Sequence, residues 1–283
     1  MFKLIIQNAD GNIVDLNDGD RYEVIAVSGL NPPSASIFTA KSPNRKGLKY
    51  NGSTLNERVI VIQIKLHGDI EANRNALYDW VDPEQYVKIY YRNDTKNVFA
   101  EGYIEDCEID LFTDNEIVNV EVLCPSPYFN DLQEIVTDIT NLVKQFTFPF
   151  AIGAEGIPFS TIKENNITNV FNPGAETGAQ FTFKFKGDVS NITIFDDTDV
   201  SKQFKINRSF SAGWSVVINT EGSPKTCKAY QPDGTEINLM RYIGANPTWF
   251  PLKKGNNRFG FSAESGTAAV EMSIGFNTKY LGV

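Results

Sequence analysis

Histidine is almost missing from this sequence: among 283 residues there is one, His67. Multi-histidine metal sites are therefore excluded, and so is every mechanism that needs two imidazoles. Cysteine is sparse, with Cys107, Cys124 and Cys227 in no CxxC pair. An odd, scattered count argues against a disulfide framework and fits folding in a reducing compartment. No apolar run approaches the ~18 residues that a membrane-spanning helix needs. The opening MFKLIIQNADG turns polar too early for a signal peptide. Positive charge is also short: 26 Lys+Arg against 35 Asp+Glu leave a net charge of −9. Nucleic-acid binding demands a basic surface, so a chain this acidic is a poor candidate for gripping phosphates.

What is present is aromatic and β-forming. Twenty Phe and 11 Tyr make the chain too apolar for disorder. At ~150 residues per domain the length suggests two domains. Phe2–Gln7 and Tyr22–Ser28 are strand candidates. The segment 29–56 holds Pro32, Pro33, Pro43 and Gly52 with Lys41, Arg45, Lys46 and Lys49, and is expected to be a long loop. In Arg58–Leu66, Ile60, Ile62, Ile64 and Leu66 alternate with polar neighbours, the pattern of a half-buried antiparallel strand. Asp69 suits a helix N-cap, and Ile70, Leu77, Trp80 and Val81 supply the apolar stripe of a helix over 69–81 that Asp82-Pro83 stops.

Strands are expected at Tyr86–Arg92, Val98–Ile104, Asp106–Phe112 and Glu116–Cys124, the last two forming a hairpin. Cys107, Ile109 and Leu111 are odd-numbered and Val118, Val120 and Val122 even-numbered, so paired numbers must sum to an odd value. Cys107 opposite Val122 satisfies this, and places Glu108 opposite Glu121. Residues 131–146 fit helical spacing but are rich in β-branched side chains, so helix and strand both remain open. From Phe148 onward, short alternating segments separated by Gly and Pro turns predict a β-sandwich, with Phe181–Lys186 the clearest strand. The fold class is mainly β with one α-helix, and the boundary falls near residue 130, giving domains 1–130 and 131–283.

Catalytic signals are weak. No GxSxG elbow frames a serine, and nothing marks His67 as a general base, so a structural or surface role is expected for it. Asp10, Asp15, Asp18 and Asp20 lack the closing Glu of an EF-hand and read as a polar turn, as do Asp196, Asp197 and Asp199. Trp214 and Trp249 are candidates for a sugar-stacking platform, against the plainer reading of core residues. The cysteines read as small core residues. No metal, cofactor or catalytic residue is assigned.

Cys124-Pro125-Ser126-Pro127-Tyr128-Phe129 resembles the domain junction of distal tail proteins of siphovirus-type bacteriophages. Gly29-Leu30-Asn31-Pro32-Pro33 resembles the start of that family's long loop, and Arg58–Gly68 with the helix after it resembles its central strand and helix. Phe146–Phe150, Asn172-Pro173-Gly174, Trp249–Asn256 and Tyr280–Val283 continue the likeness to the end of the chain. The resemblance implies an N-terminal ring-forming domain, usually six-fold around a channel, and a C-terminal galectin-like β-sandwich. It implies a non-enzymatic structural hub of the tail tip or baseplate, made in the bacterial host cytoplasm and carried in the virion tail. Its partners would be further copies of itself, the tail tube protein, and a tail-tip or receptor-binding protein. DNA would pass through without being bound, and no membrane would be involved. Two other readings stand beside it: a carbohydrate-binding β-sandwich protein without catalysis, and a glycoside hydrolase built on β-sandwiches.

Charge placement adds detail. Residues 1–130 carry 12 Lys+Arg against 20 Asp+Glu, the remainder 14 against 15. From Asn97 to Val143 there is no Lys or Arg and there are 11 acids. Asp106, Glu108, Asp110 and Glu121 share one polar face and, in a ring, become candidates for lining the channel and repelling phosphate. Lys41, Arg45, Lys46 and Lys49 become candidates for an oligomer or partner interface, since a closed ring joins unlike patches.

Overall fold

The computed structural model describes residues 2–43, 46–109, 116–138 and 166–283, and the backbone alone of 139, 142–144 and 160–162. It is mainly β, with one α-helix, and divides into two compact units: Met1–Leu132 together with Lys279–Val283, and Gln133–Thr278. Among the described residues, no helix is long and apolar enough to cross a membrane.

The first unit is built from β1 (Lys3–Asn8), β2 (Ile13–Asp15), β3 (Tyr22–Ser28), β4 (Ala35–Lys41), β5 (Leu48–Leu55), β6 (Arg58–Leu66), α1 (Ile70–Tyr78), β7 (Tyr86–Arg92), β8 (Asn97–Ile109), β9 (Ile117–Cys124) and the start of β10 (Phe129–Ile139). Its main sheet runs β2-β1-β7-β8-β9-β6-β3, antiparallel at every pairing, with β10 meeting β8 at Asn130 and Asp131 just beyond the end of β9. The alternation read from the sequence sets the buried face. Ile60, Ile62, Ile64, Val87, Ile89, Val118, Val120 and Val122 are fully buried there with Leu77 of α1. Asp69 caps α1, its side chain accepting from the Ala72 N–H. The helix is shorter than the expected 69–81. It ends at Tyr78, and Trp80 and Val81 lie in the turn that follows, Val81 buried in the same core.

Two further expectations are corrected in this unit. The segment 29–56 is not a loop throughout: β4 and β5 form a hairpin, a two-stranded sheet of its own. The sequence hid it because neither face is buried, so no alternation of apolar and polar residues arises. The register of β8 against β9 also differs. A bulge at Glu105 lies between Ile104↔Val122 and Asp106↔Glu121. Before it the even-numbered Val98, Ala100 and Ile104 face the core; after it the inward positions are odd. What read as two strands is one bulged strand, and the inserted residue moves every later pairing. Cys107 faces Val120 rather than Val122, and Glu108 faces Asn119 rather than Glu121.

The second unit comprises the rest of β10, then β11 (Leu142–Lys144), β12 (Ser160–Ile162), β13 (Ile167–Asn172), β14 (Gln180–Phe185), β15 (Val189–Asp196), β16 (Asp199–Phe210), β17 (Ser215–Asn219), β18 (Thr226–Tyr230), β19 (Glu236–Asn238), β20 (Gly255–Ser265) and β21 (Val270–Tyr280). The segment 131–146, left open between helix and strand, is strand as far as Ile139 and again at Leu142–Lys144; residues 140, 141, 145 and 146 lie outside the described residues. One layer is ordered β19-β18-β17-β14-β21 and the other β13-β20-β15-β16. Their inner faces meet through phenylalanines. Phe181 packs edge-on against Phe259 at 5.5 Å, Phe183 against Phe261 at 6.0 Å, and Phe185 stacks on Phe210 at 5.0 Å. Such pairs contribute about 0.5–1.5 kcal/mol each beyond the area they bury.

Candidate functional site

The positions where reactive chemistry was weighed are structurally occupied. His67 Nε2 lies 2.8 Å from a Glu23 carboxylate oxygen, on the strand pair that joins β3 to β6. Asp18 closes a turn, its carboxylate accepting from the backbone N–H groups of Asp20, Arg21 and Tyr22. Asp196 and Asp199 accept from Thr198 and Ser201 in the same way. Among the described residues no three His, Cys, Asp or Glu side chains gather as metal ligands would. The three thiols are kept protonated: burial pushes Cys107 and Cys124 up to about 11 and Cys227 up to about 12. Trp249 packs edge-on against Phe204 at 4.8 Å and Trp214 against Phe210 at 6.0 Å, both on the margin of the sandwich core.

The two charged surfaces sit in the first unit. On the face of the main sheet opposite the core, β8 and β9 present Asp106 and Glu108, both exposed, and Glu121, partly buried. Asp106 stands directly opposite Glu121 across the ladder, with Val61 of β6 on the other side of Glu121. Neither acid forms an ion pair among the described residues, although Lys88 and Glu101 pair at 2.8 Å further along the same sheet. Asp110 lies outside the described residues.

The basic surface is the β4–β5 hairpin. Lys41, Lys46 and Lys49 are exposed on it, while Arg45 lies outside the described residues. No acid occurs between Glu23 and Glu57 to offset them. Its apolar side chains are exposed too: Ile37 is 57% accessible, Phe38 55%, Leu48 65% and Tyr50 62%. An isolated two-stranded hairpin is at best marginally stable in water. Its large exposed apolar side chains, on strands with no core beneath them, are the kind of surface that docks onto another protein.

The root of this hairpin contains a feature the sequence reading passed over. Arg58, the first residue of β6, is 2% exposed. Its guanidinium donates to the carbonyls of Gly29, Asn31 (2.8 Å), Pro127 (2.8 Å, with a second bond at 3.2 Å) and Leu281 (2.6 Å). It lies over the Phe129 ring at 4.2 Å. Burial lowers its pKa from the usual arginine value. The signal was parity: residue 58 falls on the same face of the strand as Ile60, Ile62, Ile64 and Leu66, so an arginine was placed where the pattern demands a buried group.

With this geometry in hand, comparison with known proteins is informative. Residues 174–280 match the family described as siphovirus-type tail component, C-terminal domain. Over the whole chain the fold is that of the SPP1 Dit (gp 19.1) protein, described as a paradigm of the hub adsorption apparatus in phages that infect Gram-positive hosts. That match has 17% identity, covers 99% of each chain and has a TM-score of 0.71. A chain of the phage P2 baseplate, in its activated conformation with Ca, matches at 12% identity over 100% of both chains with a TM-score of 0.50. No curated protein matches the sequence. The likeness read from the motifs is thus shown. Residues 174–280 are similar to a siphovirus-type tail component C-terminal domain, and the whole chain carries the fold seen in SPP1 Dit.

Proposed function

We propose that this protein is a structural, non-enzymatic hub of a phage tail tip or baseplate. The observation that carries the reading is the full-length correspondence with the SPP1 Dit fold together with the family match of residues 174–280. In this reading copies of the first unit close into a ring, with six as the expected number. The tail tube protein stacks on one side and a tail-tip or receptor-binding protein on the other. The protein is made in the host cytoplasm and works in the virion tail.

The hairpin suits the joint between copies. A closed ring needs unlike patches that meet head to tail, and the same unit carries a basic apolar arm and an acidic sheet. The acidic face of Asp106, Glu108 and Glu121 is assigned to the channel wall, where repeated negative charge keeps passing DNA from sticking. Native mass spectrometry across a salt series tests the ring. Wild type should give a hexamer, and the double variant Lys46→Glu, Lys49→Glu should weaken it most at low ionic strength. A wild-type protein that stays monomeric both alone and with tail tube protein overturns the reading. For the channel, Asp106→Lys with Glu121→Lys should give rings that retain double-stranded DNA in a gel-shift assay; rings with no gain in retention remove these acids from the wall.

A further inference from the structure

The hairpin has no core beneath it, so its direction is set at its root. Two knots hold that root. In one, the lead-out residue Asn56 donates from its backbone to the Ser34 carbonyl at 3.0 Å and from its side chain to the Ser34 hydroxyl at 2.9 Å, while the Ser36 hydroxyl donates to the Asn56 side-chain oxygen at 2.7 Å. The other is Arg58. Its donors go to no carboxylate but to carbonyls of three segments far apart in sequence: 29–31, which leads into the hairpin, Pro127 between β9 and β10, and Leu281 after β21.

A buried guanidinium is costly unless its donors are met, and here backbone carbonyls meet them while the Phe129 ring supports its face. The segment after β21 adds a bond of its own, the Val283 N–H donating to the Leu30 carbonyl at 3.2 Å. The fit is close on both sides. Gly29 has φ +82°, and a Cβ there would stand 2.0 Å from the Val59 carbonyl oxygen. A Cβ on Gly282 would stand 3.0 Å from the Pro32 ring and 3.3 Å from the Leu30 oxygen.

We infer that Arg58 and the segment Leu281–Val283 form a strap that fixes the direction of the β4–β5 hairpin. Arg58 is a positioning residue. Displacing the strap leaves the main sheet in place and releases the hairpin to swing about residues 29–34 and 56–57. The inference rests on the reading above only in giving the hairpin a partner to meet; its placement is a property of a single copy.

The test is a pair of spin labels, one on the hairpin at Thr39→Cys and one on the sheet at Gln63→Cys, with Cys107 replaced by Ser, and the distance distribution measured at monomer concentrations. The parent should give one narrow distribution. Gly282→Val, which leaves Arg58 intact, and Arg58→Lys, which keeps the charge but loses the planar fork, should each broaden it at least twofold. A control pair confined to the sheet, Gln63→Cys with Lys88→Cys, should stay narrow. If Arg58→Lys also disturbs the control pair, Gly282→Val alone decides. A distribution as narrow in Gly282→Val as in the parent overturns the strap. Ring mass is read separately: a broadened distribution in a protein that never forms rings supports the strap and refutes the hub.

Discussion

Replacing Glu121 by Gln should stabilise the first unit. Asp106 and Glu121 are opposed across the β8–β9 ladder, and Glu108 lies two residues beyond Asp106 on the same side. Directly opposed like charges on a sheet destabilise by roughly 0.2–1 kcal/mol. Coulomb's law gives a similar size, since two unit charges ~5 Å apart in water-like surroundings repel by ~0.8 kcal/mol. Glu121 is partly buried, has Val61 on its other flank, and forms no ion pair among the described residues. The expected gain is ~0.5–1 kcal/mol, or roughly 2–4 °C in melting temperature for a unit of this size. Asp106→Asn should give a similar gain. The double variant should gain less than the sum, because the second substitution removes a repulsion already gone. Thermal unfolding followed by circular dichroism at 20 mM and 1 M NaCl is the assay. The benefit should shrink at high salt, where the screening length is ~3 Å. A loss of stability on Glu121→Gln, or strict additivity of the two substitutions, would refute the claim that these acids oppose each other. A gain means the acids are kept at a cost to folding, the pattern expected where charge serves function.

Two further outcomes follow from groups described above. Burial tends to raise the Asp18 pKa, but hydrogen bonds from Tyr22, Arg21 and Asp20 outweigh it and hold the carboxyl below its ordinary value. A depressed folded-state pKa contributes stability above the unfolded value that is lost as pH falls through the folded one, so Asp18→Asn should lower stability at pH 7 and flatten its loss in acid, as urea unfolding between pH 2 and 7 will read. The buried thiols of Cys124 and Cys227, raised to about 11 and about 12, should not react with a disulfide reagent at pH 8 in the folded protein, while all three thiols react in denaturant; rapid labelling of either without unfolding would refute their placement.

Much of the scaffold was legible because burial leaves a period-two signature. Tyr22–Ser28, Arg58–Leu66 and Tyr86–Arg92 are strands with the very limits read from the sequence, since each lies half-buried in a twisted antiparallel sheet. What escaped has physical reasons. The hairpin β4–β5 has no buried face to imprint a pattern. The bulge at Glu105 switches parity within one strand and so imitates a chain break. The Arg58 knot is made almost wholly of backbone carbonyls, which no side-chain motif records, and only the parity of residue 58 betrays it. The acidic face was legible as a run without Lys or Arg, but its pairing was not, because one inserted residue decides which acids confront each other.

The first unit is assembled from two stretches of chain, 1–132 and 279–283, with 133–278 folded between them. In terms of architecture, the second unit is a cassette spliced into a host rather than a bead strung after it. Both of its ends are anchored, so a single proteolytic cut within 133–278 leaves two fragments that share the first unit's fold and stay together. A substitute of any size can occupy the cassette position if its own ends lie as far apart as residues 132 and 279. Variation of the second unit is thereby separated from the host unit that carries the hairpin and the acidic sheet.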